Sequence, residues 1–99
     1  MPKGYLIGHG IVRDMEAYKP YAERNNALVA AYGGRFITRG GESVEVEGAL
    51  DGHRHVIIEF PSYADAKAFY DSPEYQENMK IRQANASGHI VIVEGTPDE

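Results

Sequence analysis

Apolar and polar positions set up a two-residue period near the start of the chain. Residues 4–12 predict a strand with Tyr5, Ile7, His9 and Ile11 on one face and Leu6, Gly8, Gly10 and Val12 on the other. Two glycines on one face leave room for a helix or a ligand to come close. The period then lengthens. Tyr18, Tyr21, Ala22, Leu28, Val29 and Tyr32 recur at helical spacing, with Asp14 as N-cap and Glu16 in the first turn, so a helix runs from about Met15 to about Tyr32. Lys19, Glu23 and Arg24 fall largely off this stripe, whereas Asn25 lies on it. Pro20 fits as an early-turn residue; deeper in the helix it removes a hydrogen bond. Gly33-Gly34 stops the helix, one of the two taking the left-handed conformation.

Residues 35–39 read as a second strand, Phe36 and Thr38 on one face and Arg35, Ile37 and Arg39 on the other. Gly40-Gly41 breaks or bulges it, residues 43–47 continue as a short strand with Val44 and Val46 inward, and residues 48–52 turn. Residues 55–60 form a third strand that carries one acid, Glu59, and stops at Pro61, which has no N–H for the ladder. Ser62 caps a helix through Tyr70. Asp71-Ser72-Pro73-Glu74 then repeats the signal for a helix from Pro73 to about Ala86, in which Tyr75, Met79 and the stem of Arg82 pack. Gly88 ends that helix beside His89, a charge partner for its C-terminus, and residues 89–94 make the fourth strand before a polar tail.

The order is β-α-β-β-α-β with the second helix split in two. Right-handed crossovers on both units give an α+β domain over residues 1–99, with an open antiparallel sheet in the order 4-1-3-2 and helices on one face. Val56, Ile58 and Phe60, the more apolar set of the third strand, face the helices. Tyr5, Ile7, Ile11, Ile37 and Ile57 then line the other face, which is too apolar to stay wet. A homodimer with sheet facing sheet is therefore expected.

Bulk composition narrows the partners. A net charge of −5 over 99 residues argues against a sequence-independent nucleic-acid binder. No apolar run approaches a membrane span, and the first residues lack the pattern of a signal peptide. The absence of cysteine removes disulfides, thiol nucleophiles and thiolate metal sites; a reducing cytoplasm is the default compartment, although this composition fits any other.

One set of local sequences has a wider likeness: Lys3-Gly4-Tyr5, Tyr-Gly-Gly-Arg-Phe at residues 32–36, Arg39-Gly40-Gly41, Glu47-Gly48, Glu59-Phe60-Pro61-Ser62, Tyr70, Ser72-Pro73-Glu74-Tyr75, Arg82 and Val93-Glu94-Gly95. Together they resemble the small bacterial family known as domain of unknown function 1330, within the dimeric α/β-barrel superfamily. The resemblance covers nearly the whole chain and implies a ferredoxin-like dimer, with no activity attached. Wider relatives include cofactor-independent monooxygenases, haem-degrading enzymes, lactone isomerases and stress-responsive proteins. The lack of tryptophan, and Glu74 where many monooxygenase-like relatives carry histidine, count against haem or monooxygenase chemistry here.

Two constellations could carry chemistry. By alternation His9, Arg39 and Glu59 share the face of Ile7, Ile37 and Ile57, and a carboxylate there needs a partner, so Glu59 should meet Arg39, His9 or a dimer mate. The functional reading is an acid/base pair, His9 as base oriented by Glu59, beside Arg39 as anion holder. The structural reading is an ion pair that stitches the sheet or the dimer. The second constellation is Asn25 among Tyr18, Tyr21 and Tyr32, opposite Gly8 and Gly10: an aromatic-lined pocket with one polar reader, or an amide bonded to a strand carbonyl within a tyrosine core. His53-x-His55 puts two imidazoles on one face, but at a strand start with no defined ligand set, so no metal is expected. Nucleophile elbow, P-loop and dinucleotide patterns are absent. The sequence thus favours a protein that binds a small anionic or aromatic metabolite near His9, Asn25, Arg39 and Glu59. Cofactor-free isomerase-like chemistry is one extension; a non-catalytic binding or structural dimer and a cofactor-independent monooxygenase on a phenol are the alternatives.

Overall fold

Each of the three helices among the described residues starts on a polar side chain. Asp14 accepts the Ala17 amide at 3.2 Å to open α1 (Met15–Ala31), and Ser62 accepts the Asp65 amide at 3.1 Å to open α2 (Tyr63–Asp71). Ser72 serves two helices. Its hydroxyl donates to the Phe69 carbonyl at the end of α2 and accepts the Tyr75 amide at the start of α3 (Pro73–Asn85), and Pro73 disfavours helical backbone at Ser72, so α2 does not run on. Gly33, at φ 77°, closes α1, and its amide and that of Gly34 bond to the Ala30 and Val29 carbonyls. Pro20 lies in the interior of α1 and so deprives the Glu16 carbonyl of its usual amide, without ending the helix.

The computed structural model describes residues 2–48 and 53–97. Four strands, β1 (Gly4–Val12), β2 (Arg35–Arg39), β3 (Arg54–Phe60) and β4 (Ala86–Glu94), form one sheet in the order β2-β3-β1-β4 with every neighbouring pair antiparallel. This is the α+β topology expected, and the helices cover one face of it. The core lies between them: Leu6, Ile58 and Phe60 from the sheet meet Tyr18, Tyr21 and Val29 of α1, with Ala66, Phe69 and Tyr75 of α2 and α3. The opposite face carries Tyr5, Ile7 and His9 in register with Glu59, Ile57 and His55, and leaves Val91, Val93 and Ile37 exposed.

Three local expectations change. Residues 43–47 are not a strand, and Val44 and Val46 stand 81% and 84% exposed; two valines between acids bury too little to hold an extra strand on the β2 edge. Of the turn at residues 48–52, only Gly48 lies within the described residues. Gly88 does not cap α3, which ends at Asn85. It lies inside β4, where a Cβ would come within 2.0 Å of the His9 carbonyl oxygen, so glycine here permits close strand pairing. His89 is accordingly the register partner of His9 in the sheet and not a helix-terminal charge.

Candidate functional site

Alternation along β2 is interrupted, and that moves Arg39 to the other face of the sheet. Phe36 pairs with Ile58, but Thr38 pairs with Ile57 and Arg39 with Val56, so Ile37 is the extra residue of a bulge. Past the bulge the faces exchange. Thr38 joins Ile57 on the open face, and Arg39 joins Phe36, Val56 and Ile58 beneath the helices. Its guanidinium lies 4.0 Å from the centre of the Phe36 ring. There it donates to the Ala22 carbonyl at 2.7 Å and to the Asn26 side chain, both on α1.

The sequence-based trio of His9, Arg39 and Glu59 is therefore not brought together as a unit: His9 and Arg39 both line the cavity described below, and Glu59 does not. Glu59, on the open face, accepts hydrogen bonds from Arg35 Nε at 3.0 Å and from the Tyr5 hydroxyl at 3.1 Å. The Arg35 bond, supported by Tyr5, holds its carboxyl below the usual carboxylate range. His9 meets His55 instead, Nδ1 to Nδ1 at 2.7 Å, one ring donating and the other accepting. Among the described residues no cluster of three or more metal-type side chains is present.

What the fold does assemble is a cavity of about 80 Å³ between the sheet, α1 and α3. By the same measure one water needs roughly 10–15 Å³, so a small organic molecule fits. Its floor includes Gly8 and Gly10 of β1, and its walls include Tyr18, Tyr21 and Phe36. Asn25 lines it from α1 and is only 4% exposed, yet its Oδ1 has no hydrogen-bond partner among the described residues. Arg39 therefore joins Asn25 and Tyr18 on one cavity. Tyr32 does not line the cavity; its ring packs against Phe69.

Two further arginines converge there that sequence reading did not single out for this role. Arg54 donates to the Tyr18 hydroxyl at 3.4 Å, and its guanidinium lies 5.9 Å from the centre of that ring. Alternation could have found it, since Arg54 is two residues before Val56 on the helix-facing side of β3, but the strand was expected to begin one residue later. Arg82 of α3 was expected to keep its head wet. It lines the cavity with Nε buried and unpartnered among the described residues, beside the Tyr21 and Tyr75 hydroxyls. Those two hydroxyls share a 2.8 Å hydrogen bond, and burial raises both phenols, Tyr21 well above its usual range. They stay neutral and serve as hydrogen-bonding groups, not bases.

Solved structures resemble this chain over nearly its whole length. RPA0582, a protein of unknown function from Rhodopseudomonas palustris, aligns over 98% of this chain and 85% of its own at 22% identity, with a TM-score of 0.77. SnoaB, a cofactor-independent oxygenase from Streptomyces nogalater, aligns over 99% and 97% at 10% identity, TM-score 0.67. A dimeric ferredoxin-like protein of unknown function from Jannaschia sp. CCS1 aligns over 94% and 99% at 16% identity, TM-score 0.62. At these identities the likeness shows the fold, which is ferredoxin-like. No protein of curated function matches the chain. The family model described as Domain of unknown function (DUF1330) matches residues 3–96, and the chain belongs to that family.

Proposed function

We propose that this protein binds a small organic anion in the cavity between the sheet, α1 and α3. The observation that carries the reading is charge. Arg39, Arg54 and Arg82 line the cavity, and among the described residues no carboxylate does, in a chain whose net charge is −5. Guanidinium groups match carboxylate or phosphate oxygens with paired N–H donors, and they act more strongly away from bulk water. The rings of Tyr18, Tyr21 and Phe36 favour an apolar or aromatic body on the ligand. A thermal-shift screen of a metabolite library against the wild type and Arg39→Ala tests this. A ligand at 100 times its Kd adds about 2.7 kcal/mol to stability. Hits confined to anions and lost in the variant are expected; neutral or cationic hits, or hits retained in the variant, overturn the reading.

Binding is the reading these residues support, and proton transfer by a His9–Glu59 pair has no geometric support because each side chain is engaged elsewhere. The oxygenase reading rests on a fold shared at 10% identity, and fold alone carries no chemistry. We also read the chain as a homodimer whose open sheet faces meet, since Val91, 53% exposed, with Ile37, Val93 and Ile11 forms an uncovered apolar surface. Sedimentation equilibrium checks this; a particle that stays at the chain mass of 11.0 kDa at micromolar concentration sinks it. No described helix is long and apolar enough to cross a membrane.

A further inference from the structure

Two buried polar atoms of the cavity residues ask for opposite partners. Asn25 Oδ1 is an acceptor without a donor, and Arg82 Nε is a donor without an acceptor, among the described residues. Both side chains line the same cavity. Neither atom has a partner among the described residues or appreciable access to water, so a ligand that supplies a donor to one and an acceptor to the other relieves a cost that the protein alone carries. An oxyanion meets the need of Arg82. It cannot meet that of Asn25 Oδ1, which requires an O–H or N–H. The donor on the ligand should also be neutral, since Arg39, Arg54 and Arg82 oppose an ammonium group in the same space.

Resting on the anion-binding reading above, we infer that the ligand is a hydroxy acid: a small carboxylate that carries a neutral hydroxyl, its carboxylate on the arginines and its hydroxyl donating to Asn25 Oδ1. Amino acids and plain carboxylates are the classes this arrangement rejects. A site built around a hydrogen bond to a substrate hydroxyl discriminates strongly against the analogue that lacks it, because the protein group is then stranded.

Isothermal titration of the wild-type protein with matched probes tests the inference. Lactate, propionate and alanine differ in one substituent, and 4-hydroxybenzoate and benzoate form a larger aromatic pair. Lactate is expected to bind at least tenfold more tightly than propionate, with alanine weaker than both, and 4-hydroxybenzoate at least tenfold more tightly than benzoate. If only one pair binds, that pair decides. In Asn25→Leu the hydroxyl advantage is expected to vanish while carboxylate binding survives; if that variant does not fold, the wild-type ranking decides alone. Equal affinity for hydroxylated and plain acids, or for alanine and lactate, overturns this inference and leaves the anion site standing. Failure of every carboxylate to bind overturns the anion site and this inference with it.

Discussion

The interface between helices and sheet has two ends, built by the same elements and filled in opposite ways. At one end Phe60, Phe69 and Tyr75 meet ring to ring, with centroids 5.2 and 4.7 Å apart, and each is essentially buried. At the other end Gly8 and Gly10 leave a floor beneath Asn25, Tyr18 and three arginines. The glycines of β1 make the contrast sharpest. A Cβ at Gly4 would lie 2.3 Å from the Ser62 carbonyl oxygen, so glycine there lets the start of α2 touch the strand. A Cβ at Gly8 would meet nothing nearer than Ile90 Cγ1 at 3.8 Å. The same residue type closes a gap at one end and leaves one at the other. Packing to crystal-like density is the norm for a protein interior, and the gap lined by guanidinium groups is the departure from it on which the anion-binding proposal rests.

Truncation at the filled end should produce the largest effect. Phe69 is fully buried and contacts Phe60, Tyr75 and Tyr32. Phe69→Ala is expected to cost about 3–5 kcal/mol in urea unfolding. A loss under 1 kcal/mol would mean that this end is not the structural core. At the hollow end the sign reverses. Gly8→Ala adds a methyl where ordinary van der Waals space exists, and it narrows the unfolded ensemble, so stability should rise by about 0.4–1 kcal/mol. Affinity for the anionic hits of the thermal-shift screen should fall in the same protein. A variant that is destabilised, or that binds as the wild type does, would break the contrast between the two ends.

Most of the fold was legible because local rules agreed with one another. Asp14, Ser62 and Ser72 cap the helices they were expected to cap, and the strand order follows from two right-handed crossovers. The candidate site was legible only in part. Asn25 on an apolar stripe opposite two glycines left a pocket and a bonded amide both open, and the structure puts Asn25, Tyr18 and the two glycines on one cavity. The place of Arg39 was not readable, because one bulged residue, Ile37, inverts every side chain beyond it and no glycine or proline marks the spot. Arg54 was hidden by a strand boundary one residue off, and Arg82 by the usual habit of long cations to reach for water. The partners of Glu59 were misread for a different reason, the register of the strands. Register sets it opposite Tyr5 on one side and Arg35 on the other, four residues along the strand from the level of His9.

Glu59 gives the smallest expected effect, and it separates the two faces of the sheet. Its carboxyl is held low by Arg35 and then Tyr5, so the folded chain resists protonation more than the unfolded chain does. The stability this contributes is present above the ordinary carboxyl value of 4.5 and is lost as pH falls through the lower folded value. Glu59→Gln should therefore flatten part of the acid limb of the urea midpoint against pH, and leave the midpoint near neutrality only slightly changed, because Arg35 is largely exposed and solvent screens the pair. Anion affinity should not change, since Glu59 does not line the cavity. If Glu59→Gln instead abolishes ligand binding while the protein stays folded, the open face takes part in recognition, and the division between a structural face and a binding face fails.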